Sequence, residues 1–341
     1  MISRRFPVRS ILSFGASPIL LGLVWGLVVY VLYAEVGWEF LRIPFLPIAT
    51  VGTAVAFYVG FKNNASYERF WEGRKIWGGI VNESRAFAYG VQAYLGDDSA
   101  GNLGDLRKQL IYRQLAWINA LRLQLRRTSR FHDKPSRTTK RRLQEHAQHM
   151  RNDWDLELAP FLLPEELSIV SGHANTATHL MATQTAVLAD LARQQQLEIF
   201  HQVALMTILR ELTALQGMCE RIKGTPFPRQ YAEFSRLFVR VFVTLLPFGL
   251  LDVFADQLHT ARHTDGINWV MIVPMLACSV LLTWVFSSME SIGDASEDPF
   301  ERSMNDVPMN AICRTIEIDL RALLGEAELP AGETSKDGIL Y

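Results

Sequence analysis

The chain has 341 residues, a formal net charge of −1, 20% charged residues and 49% hydrophobic residues. Those averages describe an ordinary soluble protein, but the apolar residues are bunched, and the bunching decides the class. Cys219, Cys278 and Cys313 lie far apart with no CxxC pair, which suggests neither a disulfide framework nor a zinc knuckle.

Four apolar stretches reach the roughly 20 residues that cross a hydrocarbon core. The first, Ser17–Trp38, follows "SRRFPVR", which loosely resembles a twin-arginine leader. It exceeds a signal-peptide core and lacks a small-residue cleavage site, so it reads as a retained span. The second is Ile43–Phe61, the third is Phe234–Ala255 with Arg236 and Arg240 in its first turns, and the fourth is Ile267–Ser288. Runs of this length are too long for buried helices of a soluble core. Arg4, Arg5 and Arg9 precede the first span, and Lys62, Arg69, Arg74 and Lys75 follow the second. The positive-inside rule therefore places both termini and the middle of the chain in the cytoplasm, with Trp38 and Trp269 at the outer interface. The expected division is 1–66 (N-terminal segment and two spans), 67–233 (cytoplasmic helical domain), 234–288 (two further spans) and 289–341 (cytoplasmic strap and tail).

No proline or turn cluster separates the second span from the charged run after it. One helix is expected to line a membrane throat and continue into a cytoplasmic vestibule. Glu68, Arg69, Glu72 and Arg74 are expected to pair along that helix or with neighbouring subunits. Leu106, Leu110, Leu115 and Ile118, then Leu205, Ile208, Leu212 and Leu215, recur at helical spacing, so the middle reads as all-α, broken by a loop at 97–105. Residues 122–151 hold ten Lys or Arg against Asp133 and Glu145. The leading reading is a solvated loop and helix face, with an anionic-lipid site or a reservoir of cytosolic anions as alternatives; without aromatic interleaving nucleic acid has no support. From Glu290 to Asp337 acidic residues outnumber basic ones about three to one, which balances that basic region.

Enzyme chemistry has no support: no G-x-S-x-G, phosphate loop or dinucleotide fingerprint stands in a strand–helix context. All eight histidines lie outside the spans, and His146 and His149 have no further metal partner in sequence.

The second span carries two helical rows. Gly52, Ala56 and Gly60 form a small-xxx-small row for close helix packing. Thr53, Phe57 and Phe61 form the neighbouring row and, in an oligomer, make a narrow apolar ring that gates by dewetting. The competing reading puts these phenylalanines against lipid or other helices.

"GFKNNASYERFWEGRKIWG" (60–78) closely resembles the bestrophin family, especially its bacterial members. So do "RELTALQGMCERIKGTPFPRQYAEF" (210–234), "LLPFGLLD" (245–252) and "DPFERSMNDVPMNAICRTIEIDLRALLG" (298–325). The matching motif positions are Asn63, Asn64, Tyr67, Arg69, Glu72, Arg74, Glu211 and Pro226. The resemblance implies an all-α membrane protein: a homopentameric channel with four transmembrane helices per subunit, continuous with a helical cytoplasmic domain, in the inner (plasma) membrane. It implies a neck on Thr53, Phe57 and Phe61 and a second, cytosolic constriction at Val203. Thr53 departs from the aliphatic residue usual there, which predicts a wider, wetter outer ring.

Eukaryotic bestrophins are calcium-activated anion channels. At the matching calcium positions this chain keeps Asp298, Glu301 and Asp306 but has Ser303 where an acid is expected. Calcium takes six to eight oxygens, so no calcium clasp, and no other cofactor, is expected. The expected partners are small monovalent ions, the bilayer and further copies of the chain. Phenylalanine edges are the positive part of the ring quadrupole and favour anions such as chloride. The alternatives are a cation channel of the same architecture and a membrane carrier or exporter.

Overall fold

The structure, a computed structural model, describes residues 8–95, 102–127, 151–254, 269–301, 305–335 and 340. Arg4, Arg5, the histidines at 132, 146, 149, 259 and 263, most of the basic segment and Ser303 lie outside the described residues. Among the described residues there is no strand. The helices are α1 (Val8–Ala34), α2 (Phe45–Tyr94), α3 (Asn102–Leu125), α4 (Trp154–Leu158) and α5 (Pro164–Ser171). They continue as α6 (Thr176–Arg193), α7 (Ile199–Gly224), α8 (Arg229–Val253), α9 (Trp269–Ser296) and α10 (Met309–Leu323). The chain divides into two compact units, Ser3–Glu68 with Phe227–Glu297, and Arg69–Pro226 with Asp298–Tyr341.

The first unit is a multi-pass membrane body. Among the described residues, four helices are long and apolar enough to cross a bilayer. α1 packs on α9 through glycines: a Cβ on Gly22 would lie 3.0 Å from Thr283 Cβ, and one on Gly26 3.0 Å from Ser279 Oγ. Ser279 Oγ in turn donates to the Gly22 carbonyl at 3.2 Å. Close approach through small residues is the association that lipid leaves available, since burial of apolar surface drives little there. Asp252 at the end of α8 caps the start of α2, accepting from Phe45 N at 3.2 Å and Arg42 Nε at 2.8 Å. A carboxylate there satisfies an orphan N–H and faces the positive end of the helix.

The second unit has an ordinary hydrophobic core. Trp77, Ile80 and Phe87 from α2, Leu110, Leu115 and Trp117 from α3, and Leu205, Leu209 and Leu212 from α7 are all buried. α10 lays Met309, Cys313, Ile316 and Leu320 into it.

The described ends of the basic segment differ from the solvated face expected of it. Arg122 is fully buried and donates to Glu157 Oε2 and Asn310 Oδ1 at 2.5 Å each. Arg151 donates to Glu157 and Glu333 at 2.8 and 2.7 Å. Charged nitrogens buried to this extent are tolerated only with carboxylate partners, and the acidic tail supplies one of them in Glu333.

Candidate pore-lining face

α2 has 50 residues and runs about 75 Å at 1.5 Å per residue. Its sides differ along the membrane portion. Ile48, Val55, Val59, Lys62 and Ser66 are buried, whereas Leu46, Thr53, Phe57, Phe61 and Tyr67 are exposed. Phe57 is 69% and Phe61 62% exposed, although α8 and α9 bury the opposite face of the same turns. Their rings touch edge to face, with centroids 4.6 Å apart and planes at 89°. Thr53 Oγ1 donates back to its own Ala49 carbonyl at 3.0 Å.

The small-residue row splits. A Cβ on Gly52 would lie 2.6 Å from the ring of Phe242, so this close approach is made within the chain, by α8. Ala56 is half-buried, and Gly60 has open space around it.

Arg69 and Glu72, expected to pair along α2 or with neighbouring subunits, are met by α7 of the same chain. Along the helix itself, Asn64 Nδ2 donates to Glu68 Oε1 at 3.1 Å. Glu72 accepts from Arg221 on α7 at 2.7 Å. Arg69 Nη2 donates to the Ile222 and Thr225 carbonyls at the end of α7 and lies 3.5 Å from Asp298. Unsatisfied carbonyls at a helix C-terminus carry partial negative charge and attract a guanidinium, whereas Glu68 and Glu72, four apart, repel each other. Tyr67 and Arg74 are exposed. Asn63 Nδ2 donates to the Met289 carbonyl at 2.9 Å.

Val203 is 59% exposed in the first turns of α7, next to the exposed Ile199 and Phe200. Glu211 is exposed two turns on, 3.4 Å from Arg210. Pro226 lines a cleft with Lys223, Asp298, Phe300 and Glu301, in which Lys223 pairs with Glu301. The acids kept at the expected calcium positions thus face cations: Asp298 has Arg69 and Glu301 has Lys223. Asp306 Oδ1 accepts from the neighbouring Val307 N. Among the described residues no group of three or more His, Cys, Asp or Glu side chains is placed to hold a metal ion.

A family model described as "Bacterial/Fungal Bestrophin protein" matches residues 8–322. The chain belongs to that bestrophin family. The "Voltage-dependent anion channel-forming protein YneE" of Escherichia coli K12 is 30% identical over 325 residues, covering 94% of this bestrophin and 90% of that protein. Its namesake in Salmonella typhi is 28% identical over 327 residues, with the same shares covered. The crystal structure of a bacterial bestrophin homologue from Klebsiella pneumoniae superposes with a TM-score of 0.72 at 24% identity, covering 92% of this bestrophin and 99% of that chain. Sequence spacing missed the glycine seam between α1 and α9. Its signal was the small-xxx-small pair Gly22 and Gly26, lying in plain view within the first span.

Proposed function

We propose that this bestrophin assembles as a homopentamer in the inner membrane, both termini cytoplasmic, and passes small monovalent anions such as chloride through an axial pore. Thr53, Phe57 and Phe61 of each subunit form the neck, and Val203 forms a second constriction on the cytosolic side. The observation that carries this reading is the exposure of two adjacent large aromatics, Phe57 and Phe61, on a face of α2 that the described residues of its own chain leave uncovered. A ring of such side chains makes a hydrophobic gate, and aromatic edges turned inward favour negative ions. The relatives named as anion channel-forming proteins support the same choice of ion. Calcium has no part in the proposed cycle, because Arg69 and Lys223 already occupy the acids that would otherwise bind it.

A second reading, cation conduction, draws on Glu68, which is exposed on the same stripe below Phe61. Reversal potentials of purified protein in planar bilayers under a potassium chloride gradient separate the two. The expected value lies near the chloride equilibrium potential and moves toward zero in Phe57→Ile. A value near the potassium potential selects the cation reading, an unchanged preference in Phe57→Ile removes the aromatic-edge argument, and saturable flux without unitary steps identifies a carrier.

A further inference from the structure

The densest buried charge in the membrane unit begins one residue beyond Phe61. The Lys62 side chain is 0% exposed, and its Nζ lies 2.9 Å from Glu297 Oε1 and 3.4 Å from Glu290 Oε1. These two acids are seven residues apart, Glu290 on α9 and Glu297 just past its last residue, Ser296. Asn63 extends the seam: it donates to the Met289 carbonyl, and its Oδ1 is buried against Gly293, where a Cβ would lie 2.0 Å from that oxygen. From α8, Arg236 pairs with Asp294 and lies 3.6 Å from Glu290. Three helices therefore meet at one polar lock just past the ends of the expected spans, and charges buried out of water are costly enough to call for a role.

None of these groups is on the exposed row, so they do not touch permeating ions. Their effect on the row is mechanical. Above the lock α2 packs through Val55 and Val59 and, at Gly52, against the Phe242 ring; apolar contact sets how closely the helices approach but supplies no directed bond there. Hydrogen bonds and ion pairs have fixed directions. Lys62 and Phe61 are adjacent on a rigid helix, so whatever fixes the azimuth of one fixes the other. We propose that Lys62 and Asn63 are positioning residues for the neck: docked on the end of α9 and on Glu297 just beyond it, they hold α2 at the rotation that points Phe57 and Phe61 at the pore. This rests on the reading of those phenylalanines as the neck.

The test uses the full-length protein in planar bilayers and two readouts, open probability and the rate at which a charged methanethiosulfonate reagent blocks current through Phe61→Cys. Lys62→Gln is expected to lower open probability and to slow the block about tenfold, within the span of single-residue coupling effects. Lys62→Arg, which keeps the charge and the donors, is expected to restore both to near the parent rate. If Lys62→Gln does not purify as a particle of parental size, the neutral pair Lys62→Gln with Glu297→Gln replaces it, since no carboxylate of the closer contact is then left uncompensated. Equal block rates with Lys or Gln at position 62 overturn the proposal alone and leave the neck standing. A Phe61→Cys channel that the reagent does not block in the otherwise unaltered chain overturns the neck itself, and the lock with it.

Discussion

Arg69 Nη2 donates to two carbonyls at once, those of Ile222 at 2.5 Å and Thr225 at 2.6 Å, and so closes the C-terminal end of α7. The same side chain lies 3.5 Å from Asp298. Hydrogen bonds from a charged donor contribute about 1.5–3 kcal/mol, so Arg69→Ala is expected to destabilise by about 2 kcal/mol. Arg69→Lys is expected to recover less than half of this, because a point-charge ammonium lacks the planar fork. Denaturant unfolding in detergent reads the difference; a midpoint unmoved by Arg69→Ala would show that the end of α7 is held by something else.

Tyr112 and Glu326 form an acid-sensitive latch between α3 and the turn after α10, with the phenol donating to Glu326 Oε1 at 2.6 Å. Burial works to raise the Glu326 carboxyl, but hydrogen bonds from Tyr112, Arg321 and Lys108 outweigh it and hold the group below its ordinary 4.5. Burial, then the Glu326 carboxylate, pushes the Tyr112 phenol up to about 12. A carboxyl depressed on folding stabilises fully above its ordinary range, and that contribution fades as pH falls through the lower folded value. The phenol works in the opposite sense: its contribution is full below 10 and is lost as pH rises through about 12. Protection of the 321–328 amides, taken against the intrinsic exchange rate at each pH, is therefore expected to fall below the ordinary carboxylate range. In Tyr112→Phe, which removes one donor, that loss of protection should begin at higher pH. Identical acid profiles in the two proteins would remove the phenol from the latch.

The spans were legible because a bilayer imposes a length on apolar runs, and the unbroken α2 because nothing in 56–79 stops a helix. The helices that carry Leu110, Leu115, Leu205 and Leu212 were legible from spacing alone. The partners of charge were not. Lys62 finds Glu290 and Glu297 over 200 residues away in sequence, and Glu72 finds Arg221 on another helix. Local spacing reports which face a residue is on, while the identity of its partner depends on which helix covers that face. The same limit applies to Gly52: its smallness was visible, but that Phe242 of the same chain fills the space was not.

Gly52 and Gly60 are alike in sequence and different in space, which separates their substitutions. A Cβ at Gly52 meets the Phe242 ring at 2.6 Å, and that ring also packs on Phe286 with centroids 4.5 Å apart. Gly52→Ala is expected to destabilise by about 1–3 kcal/mol through overpacking, with partial rescue by Phe242→Leu. Gly60→Ala meets nothing within the chain and is expected to leave the subunit as stable or more so, since alanine gains up to about 1 kcal/mol in a helix. Unfolding curves and particle mass together decide. Loss of the oligomer in Gly60→Ala would assign the open glycine to contact between copies.

Cys219 and Cys313 are expected to be chemically silent in the folded protein. Burial raises both thiols, with Glu220 and Glu72 adding to the effect at Cys219. At Cys313, Arg122, Arg126 and Arg151 oppose the burial and leave the thiol at about 11. Since the thiolate is the reactive form, maleimide at pH 7.5 should label neither until denaturant is added. Peptide mass mapping checks this, and rapid labelling of Cys313 under native conditions would mean that α10 lifts from the core.

Thr53 allows the proposed neck to be tested for size apart from polarity. Its hydroxyl is turned back to the Ala49 carbonyl, which leaves a short, methyl-bearing side chain facing outward. If width sets the resistance of this ring, Thr53→Val, of nearly equal volume and without the hydroxyl, should conduct like the parent, while Thr53→Leu should narrow the ring and lower unitary conductance. If a wetted hydroxyl ring matters instead, Thr53→Val should already lower conductance, because removing the oxygen lets the ring dewet. Because the helix itself accepts the threonine proton, we expect the first outcome. Unitary currents of the two variants at matched voltage distinguish the cases, and a conductance indifferent to both would place Thr53 outside the constriction.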